Sequence, residues 1–435
     1  MRDKEFDIVI VGSGAGGGTV AARLAPLARA GLKIAVLEWG PKFKKSEFTG
    51  RELEMAERLY FDGGGFLTKD RSMTLAFGKA YGGSTVVYTG TSIKIAKRTV
   101  SRWAVPGLSW DDLSKRTDRC AEENGVHPIP DHHLNDNNTL FRDACKRLNW
   151  HVDQFPINVR GCLGAGLCNL GCPNDAKQGT PQVQLPIAES AGVEIVTHCK
   201  VDRVENKTLY AEVRPGLWGE PSLWDSGLYR IKARWVILAA GAVNSPAILL
   251  RSGFGKHLSE LGCWFTTHPA MIIAGRHPKP ITNYHGHPKS FYCEGFAETE
   301  RFLLETCMYF PFTTAKNIPG FGAEHESMIT AMDRLQMILV LAIDAARRDN
   351  RVTIDSDGNP VVDYRLHKDV LSSLKSGAEH SGKILRESGC DTIALPEDFR
   401  PGSISVSGAH LMGGCRMGAG PETSVTDSWG RVHGA

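Results

Sequence analysis

The hydrophobic pattern at the start of the chain indicates a strand, a helix and a second strand. Residues Ile8–Val11 form an uninterrupted apolar run, which is typical of a strand buried on both faces of a parallel sheet. Residues Lys33–Glu38 form a second predicted strand, in which Ile34–Leu37 are apolar. The glycines and alanines between the two runs suit a helix that packs closely on a sheet. The pattern therefore predicts a βαβ unit within the first forty residues.

Apolar positions recur at helical spacing in two later regions. The first predicts a helical insert at about residues 100–155, and the second predicts an amphipathic helix over Lys368–Gly389. Strand patterns complete the prediction: strand, turn and strand in Gly192–Val204, a β-meander in Asn206–Ile231, a buried strand in Ala233–Gly241 and a hairpin in Arg351–Arg365.

The composition and the hydrophobic pattern of the sequence change at about residue 265. The residues that follow are rich in proline, histidine and aromatic side chains, and they contain no βαβ pattern. A chain of 435 residues also exceeds the usual size of one domain. We therefore expect an α/β fold with a discontinuous Rossmann-like domain at 1–264 and 400–435. A second, mainly antiparallel-sheet plus helix domain is expected at 265–399.

Composition narrows the class of protein. Hydrophobic residues make up 42% and charged residues 23% of the chain, as in an ordinary globular enzyme. The net charge of +3, with no basic run among aromatics, argues against nucleic-acid binding. No apolar stretch is long enough to predict a transmembrane segment, and the first residues lack the pattern of a signal peptide. We expect a cytoplasmic protein, with export on a partner subunit left open.

The loop after the first strand has the spacing of a dinucleotide-binding motif. Gly12, Gly14 and Gly17 stand in G-x-G-x-x-G order, and the helix that follows would direct its free N–H groups at a pyrophosphate. Glu38 ends the second strand at the distance expected of a ribose-binding carboxylate. The sequence therefore predicts an adenine dinucleotide. Only one such motif is present, which disfavours a second, nicotinamide-binding site.

Three later elements resemble, in chain order, the signatures of the glucose–methanol–choline (GMC) family of FAD-dependent oxidoreductases. Gly82–Val87 is similar to the first signature, and Gly241–Gly253 resembles the second almost residue for residue. His410–Gly418 looks like the motif that contains the active-site histidine of the family. The resemblance spans residues 6–435 and is weakest between 265 and 399.

The resemblance implies FAD and a set of contacts to it. His410 would be the general base that takes the proton of an alcohol while hydride passes to flavin N5, a role that suits the pKa of histidine. The alcohol would be apolar, long-chain or sterol-like, because Lys177–Thr180 and the His410 motif resemble those members. The implied cofactor contacts are Gly12, Gly14 and Gly17 (diphosphate), Glu38 (ribose), Gly83 and Ser84 (diphosphate and flavin), Val201 (adenine) and Asp427 (near the cofactor), with Ala15, Gly82, Ala240 and Gly241 as further cofactor-binding residues.

A cysteine-rich loop at residues 161–173 leaves a second function open. Cys162, Cys168 and Cys172 have C-x5-C-x3-C-P spacing, which can hold an iron–sulfur cluster. It resembles the cluster loop of flavin-dependent glucose dehydrogenases, whereas the residues after it resemble cluster-free members. The alternative function is thus a dehydrogenase subunit that passes electrons from a sugar or alcohol to a cytochrome or quinone. The acceptor, whether oxygen, quinone or cytochrome, stays open.

The end of the chain suggests a third alternative. In the family, a second histidine or asparagine lies tens of residues beyond the His410 motif, whereas this sequence ends at Ala435. We therefore expect a chain truncated at its C-terminus relative to the family. A truncated chain that binds FAD without turnover is the third hypothesis.

Overall fold

The computed structural model describes all residues from Met1 to Ala435. Its nineteen strands are β1 (Arg2–Val11), β2 (Ile34–Leu37), β3 (Phe66–Leu67), β4 (Thr74–Leu75), β5 (Val126–Pro128), β6 (Asp153–Gln154), β7 (Pro156–Asn158), β8 (Glu194–Val196), β9 (Cys199–Glu205), β10 (Thr208–Val213), β11 (Gly227–Leu238), β12 (Ala270–Arg276), β13 (Phe291–Cys293), β14 (Phe302–Thr306), β15 (Leu335–Ala342), β16 (Arg351–Ile354), β17 (Pro360–Asp363), β18 (Thr392–Ala394) and β19 (Ser407–Gly408).

Ten α-helices accompany these strands. They are α1 (Ala15–Arg29), α2 (Glu52–Leu59), α3 (Lys97–Trp103), α4 (Trp110–Glu123), α5 (Asp136–Arg147), α6 (Gln184–Ser190), α7 (Gly241–Arg251), α8 (Pro311–Asn317), α9 (Gly322–Ile329) and α10 (Lys368–Glu387). None of these helices combines the length and the apolar character that crossing a bilayer requires.

The first sheet contains the predicted βαβ unit. Its strand order is β8-β2-β1-β11-β10-β9, with parallel pairing from β8 to β11 and antiparallel pairing from there to the β9 edge. The apolar run of β1 is buried, and α1 packs on the sheet through Ala21 and Ala25. The prediction of a separate strand at Ala233–Gly241 was wrong in one respect. A single 12-residue strand, β11, pairs with β10 along its first part and with β1 from Tyr229 to Leu238.

The second sheet is the mainly antiparallel sheet that the sequence predicts. It has nine strands in the order β3-β4-β19-β12-β15-β14-β13-β6, with β18 also paired to β12. Helix α10 covers one face and contributes to the largest apolar cluster of the molecule. A smaller cluster, which includes Ile318 and Met328 of the α8–α9 region, covers the other face. The α/β fold class is therefore confirmed.

Candidate active site

A cavity of about 790 Å³ opens where the first sheet meets the segment around residue 410. The C-terminal ends of β1, β2 and β11 supply Val11, Leu37 and Ala239 to its wall. Helices α1 and α7 begin at this wall, and neither N-terminus is capped by a side chain. Carboxyl ends of parallel strands and uncapped helix N-termini are the usual place for a phosphate-containing ligand in such folds.

The glycines of the first loop are held in place by close backbone contacts. A Cβ atom on Gly12 would lie 2.5 Å from the Ala239 oxygen, and one on Gly17 would lie 1.8 Å from the Gly12 oxygen. At Gly14 a Cβ would meet nothing closer than the Gly83 Cα, at 3.7 Å, and Gly14 lines the cavity. Gly12 and Gly17 thus shape the turn, and Gly14 leaves space where a diphosphate would lie.

Glu38 reaches this loop through a buried hydrogen-bond network. One carboxylate oxygen accepts from the Ser13 N–H at 2.9 Å and the Ser13 hydroxyl at 2.6 Å, and the other accepts from the Gly40 N–H at 2.8 Å. Burial raises the pKa of Glu38, and these hydrogen bonds oppose that rise. A carboxylate has roughly four acceptor positions, so three donors leave room for one ribose hydroxyl.

The second glycine-rich turn lies directly against the first. The Gly82 N–H donates to the Ser13 hydroxyl at 2.8 Å, and Gly82 itself is buried under Pro181. This contact places Gly83 and Ser84 in the cavity wall. Ala15, Ala240 and Gly241 also line the cavity. The structure therefore brings most of the predicted cofactor contacts to one cavity.

The far end of the cavity contains residues that the sequence did not single out. Trp39 has two cations near its ring centre, the Lys79 ammonium at 5.5 Å and the Lys200 ammonium at 4.8 Å. Val201, the predicted adenine contact, follows on β9, the edge strand of the sheet. An edge strand keeps part of its backbone N–H and C=O groups free, which suits recognition of a base through the backbone.

His410 lies in the same cavity wall, and a second histidine contacts it. The Nδ1 atoms of His410 and His268 are 3.0 Å apart. Burial, His268 and Lys289 lower the pKa of His410 to about 4, while Glu305 acts against them. The imidazole is therefore neutral at pH 7 and can accept a proton. His268 carried no sequence signal, because its partner is 142 residues away in the chain.

Asp427 is not among the residues that line the cavity, so its place near the cofactor stays a prediction. Its carboxylate accepts hydrogen bonds from the N–H groups of Trp429 and Arg431 and from the Arg431 guanidinium. These contacts close a turn at the end of the chain. Asp427 therefore holds that turn and does not line the cavity.

The cysteine-rich loop does not support the predicted iron–sulfur cluster. No group of three or more His, Cys, Asp or Glu side chains has the arrangement of a metal site. Burial raises the pKa of Cys162 and raises that of Cys168 to about 11, whereas a cluster ligand must be a thiolate. The buried Lys177 ammonium instead fixes the loop by donating to the carbonyls of Val86, Tyr88 and Cys168 at 2.5–2.7 Å. Cys172 lines a separate cavity of about 400 Å³.

Comparison with known families agrees with this geometry. The N-terminal model of the GMC oxidoreductase family matches residues 56–270, and the C-terminal model of the same family matches residues 346–435. The chain is 30% identical over 455 residues to a GMC-type oxidoreductase of Mycobacterium tuberculosis, covering 98% of this chain and 70% of that protein.

Two relatives with named substrates are more distant. A long-chain-alcohol oxidase of Arabidopsis thaliana is 26% identical, covering 98% of this chain and 63% of its own length. Paromamine 6'-oxidase of Streptomyces fradiae is 28% identical, covering 100% of this chain and 85% of its own.

A solved variant of the formate oxidase of Aspergillus oryzae has the same fold, with a TM-score of 0.70, 16% identity and coverage of 100% of this chain and 92% of that one.

Proposed function

This chain belongs to the GMC oxidoreductase family, and on that premise we propose that it oxidises apolar alcohols, with His410 as the general base. The family membership carries the broader statement that the protein is an FAD-dependent oxidoreductase acting on CH–OH groups. The identity of the alcohol, the electron acceptor and the role of each residue belong to the proposal.

One observation carries the proposal: His410 lies in the same cavity wall as Gly14, Gly83 and Glu38. The dinucleotide-binding loops and the base therefore face one space. Within that space, the uncapped N-terminus of α1 would bind the diphosphate, Glu38 the ribose and Val201 the adenine. FAD bound in this way supplies the hydride acceptor.

The chain's own residues would prepare the alcohol for that transfer. The neutral His410 imidazole would accept the hydroxyl proton as the C–H bond weakens, which is the contribution expected of a general base. The cavity wall beside it continues with Leu411 and Met412 and, on the side of the second glycine turn, with Phe66 and Phe77. These apolar neighbours favour an alkyl chain over a heavily hydroxylated substrate.

The two named relatives make the substrate class testable. A long-chain primary alcohol and an amino sugar can be compared as reductants of the bound flavin under anaerobic conditions. We expect faster reduction by the alcohol, because the wall beside His410 is apolar. Faster reduction by the amino sugar would overturn the apolar assignment and leave the CH–OH chemistry intact.

The role of His410 is tested by His410→Ala. Removing the base should lower the rate constant of flavin reduction by about 10² to 10⁴-fold, while FAD absorbance per protein stays unchanged. The wild-type rate should be flat above about pH 6 and should fall only as pH approaches the His410 pKa of about 4, where the base becomes protonated. An exposed histidine variant, His257→Ala, is the matched control. Near-normal reduction by His410→Ala would contradict the assignment.

We also propose that residues 1–264 and 400–435 bind the cofactor, and that the domain at 265–399 adds substrate contacts to those of Leu411, Met412, Phe66 and Phe77. The cavity wall supports the first part of this division, since its residues come mainly from the first and last segments.

A further inference from the structure

His268 and His410 face each other because the backbone fixes their register. The Thr266 N–H donates to the Met412 carbonyl, and the Met412 N–H donates to the Thr266 carbonyl, both at 2.9 Å. In an antiparallel pair, the residue two positions after one partner lies opposite the residue two positions before the other. His268 is therefore held opposite His410, with the two rings at 81°.

The contact between two Nδ1 atoms constrains where the protons are. One Nδ1 must carry a hydrogen and the other must present a lone pair. A general base needs its lone pair on the nitrogen that faces the substrate. Because Nδ1 is the atom through which His410 bonds to the protein, Nε2 is the atom left for that role. His410 then carries its hydrogen on Nδ1, and His268 accepts it.

We propose that His268 is a positioning residue whose Nδ1 accepts a hydrogen bond from Nδ1–H of His410 and so holds His410 in the tautomer with a basic Nε2. This inference rests on the proposed role of His410. In the step that it serves, the substrate O–H bond breaks, an Nε2–H bond forms and the electron pair stays on the substrate oxygen. His410 becomes an imidazolium, and its Nδ1–H remains bonded to His268.

The charges around the pair agree with two neutral rings before the reaction. The ion pair of Lys289 and Glu305, at 2.6 Å, is buried nearby, and Asp344 also acts on His268. Burial lowers the pKa of His268, and the carboxylates of Glu305 and Asp344 oppose that effect. Two neutral imidazoles can share one hydrogen, whereas two imidazolium rings would present hydrogen to hydrogen. Glu305 is also placed to favour the positive charge that His410 gains.

The tautomer is measurable without turnover. Protein labelled with ¹⁵N-histidine distinguishes a protonated from an unprotonated ring nitrogen by chemical shift, and the His410 signals are identified by their loss in His410→Ala. We expect Nδ1 of His410 to be protonated and Nε2 unprotonated at pH 7. In His268→Leu this preference should be lost. In His268→Asn the side-chain oxygen takes the place of the acceptor nitrogen and should restore it. His257→Leu, an exposed change, should leave the shifts unaltered.

Flavin reduction then reports the consequence. His268→Leu should lower the limiting rate by at least about tenfold with little change in the half-saturating alcohol concentration, and His268→Asn should recover most of that loss. A protonated Nε2 on His410 in the wild type would overturn the inference, as would equal rates in all three proteins. Where His268→Leu fails to fold, the wild-type and His268→Asn spectra still decide. If the tautomer is as proposed but His410→Ala reduces flavin normally, the proposed function fails and the positioning contact stands.

Discussion

At position 14 the cavity itself, and not the packing of the protein, limits the size of the side chain. The neighbours of Gly14 leave space for a Cβ, but that space is the cavity itself. A larger side chain there would therefore be compatible with the fold and incompatible with a cofactor. The same cannot be said of Gly12, where an added Cβ would clash with the Ala239 backbone.

Gly14→Val should separate folding from cofactor binding. We expect FAD affinity to fall by about tenfold or more, equivalent to about 1.4 kcal/mol, while the melting temperature without FAD changes little. Ala22→Val places the same side chain on α1 away from the cavity and should leave affinity unchanged. Titration of each apoprotein with FAD, followed by fluorescence, measures the affinity, and thermal unfolding of each apoprotein measures the melting temperature. Wild-type affinity in Gly14→Val would show that the diphosphate lies elsewhere.

Single residues also mark the limit of prediction from sequence. The spacing of Gly12, Gly14 and Gly17 and the position of Glu38 are local signals, and each residue lies where a βαβ unit places it. His268 has no local signal, because the role that we propose for it depends on its contact with His410, which is 142 residues away in the chain. The cysteines show the opposite error, a local signal without a site. Their spacing suggested a cluster, but the protonation and geometry of the thiols depend on packing that spacing does not encode.

At the level of elements, the hairpin β16–β17 forms part of the cavity wall, which its sequence pattern did not predict. Its turn, Gly358–Pro360, lines the cavity beside Val201. Arg251 at the end of α7 secures it by donating to the Gly358 carbonyl at 2.8 Å and to the Asp202 carbonyl at 2.7 Å. The hairpin thus covers the end of the cavity that we propose for the adenosine, and it is fastened to the helix that begins at the same cavity.

Arg251→Met should loosen that cover. Losing both charge-assisted hydrogen bonds should raise amide hydrogen exchange in residues 355–359 and speed FAD release by about tenfold. Arg351→Met, an exposed change on the same hairpin, is the control. Exchange measured by mass spectrometry and release measured by dilution into excess riboflavin-binding protein report the two effects. Unchanged exchange at the turn would show that the hairpin is held by other contacts.

The elements that the sequence predicted well have a sustained hydrophobic pattern. This pattern is a continuous apolar run in β1 and an amphipathic face in α10. Strand β11 was divided in error because its first half alternates between exposed and buried positions, whereas its second half is more evenly covered. Helices α2, α8 and α9 were missed, since each is only seven or eight residues long, too short for apolar residues to recur over several helical turns.

At the scale of the whole molecule, strands from both of the predicted domains pair within one sheet, the second sheet. Strands β4 and β19 come from the segments assigned to the cofactor domain, and β19 pairs with both β4 and β12. The second sheet therefore continues into the segments that we propose for cofactor binding. One continuous sheet consequently joins the two proposed domains.

The stability of this structure should depend on pH through a buried neutral histidine. His287 donates from Nε2 to the Thr89 carbonyl at 2.7 Å, and its Nδ1 accepts from the Lys289 N–H. Burial lowers its pKa to about 4. Between pH 6.5 and 4 the unfolded chain binds a proton that the folded chain does not, so folding stability falls as pH falls through this window.

His287→Gln should flatten that dependence. The wild type should lose about 2 kcal/mol of unfolding free energy from this residue between pH 7 and pH 5, and the variant should lose correspondingly less. Urea unfolding at the two pH values measures the difference, with the exposed change His257→Gln as control. An unchanged slope in His287→Gln would assign the acid sensitivity to other groups.

The hydrogen-bonded bridge between Thr266 and Met412 has a consequence for how the protein is made. It joins segments separated by 146 residues, and the cavity that it borders also needs the loop at Gly12, near the start of the chain. Closing contacts of such large sequence separation is entropically costly and tends to come late in folding. A chain leaving the ribosome therefore cannot complete this site until Met412 has been synthesised. The loop at Gly12 is synthesised long before His410, so the proposed site is complete only once these two distant segments have come together.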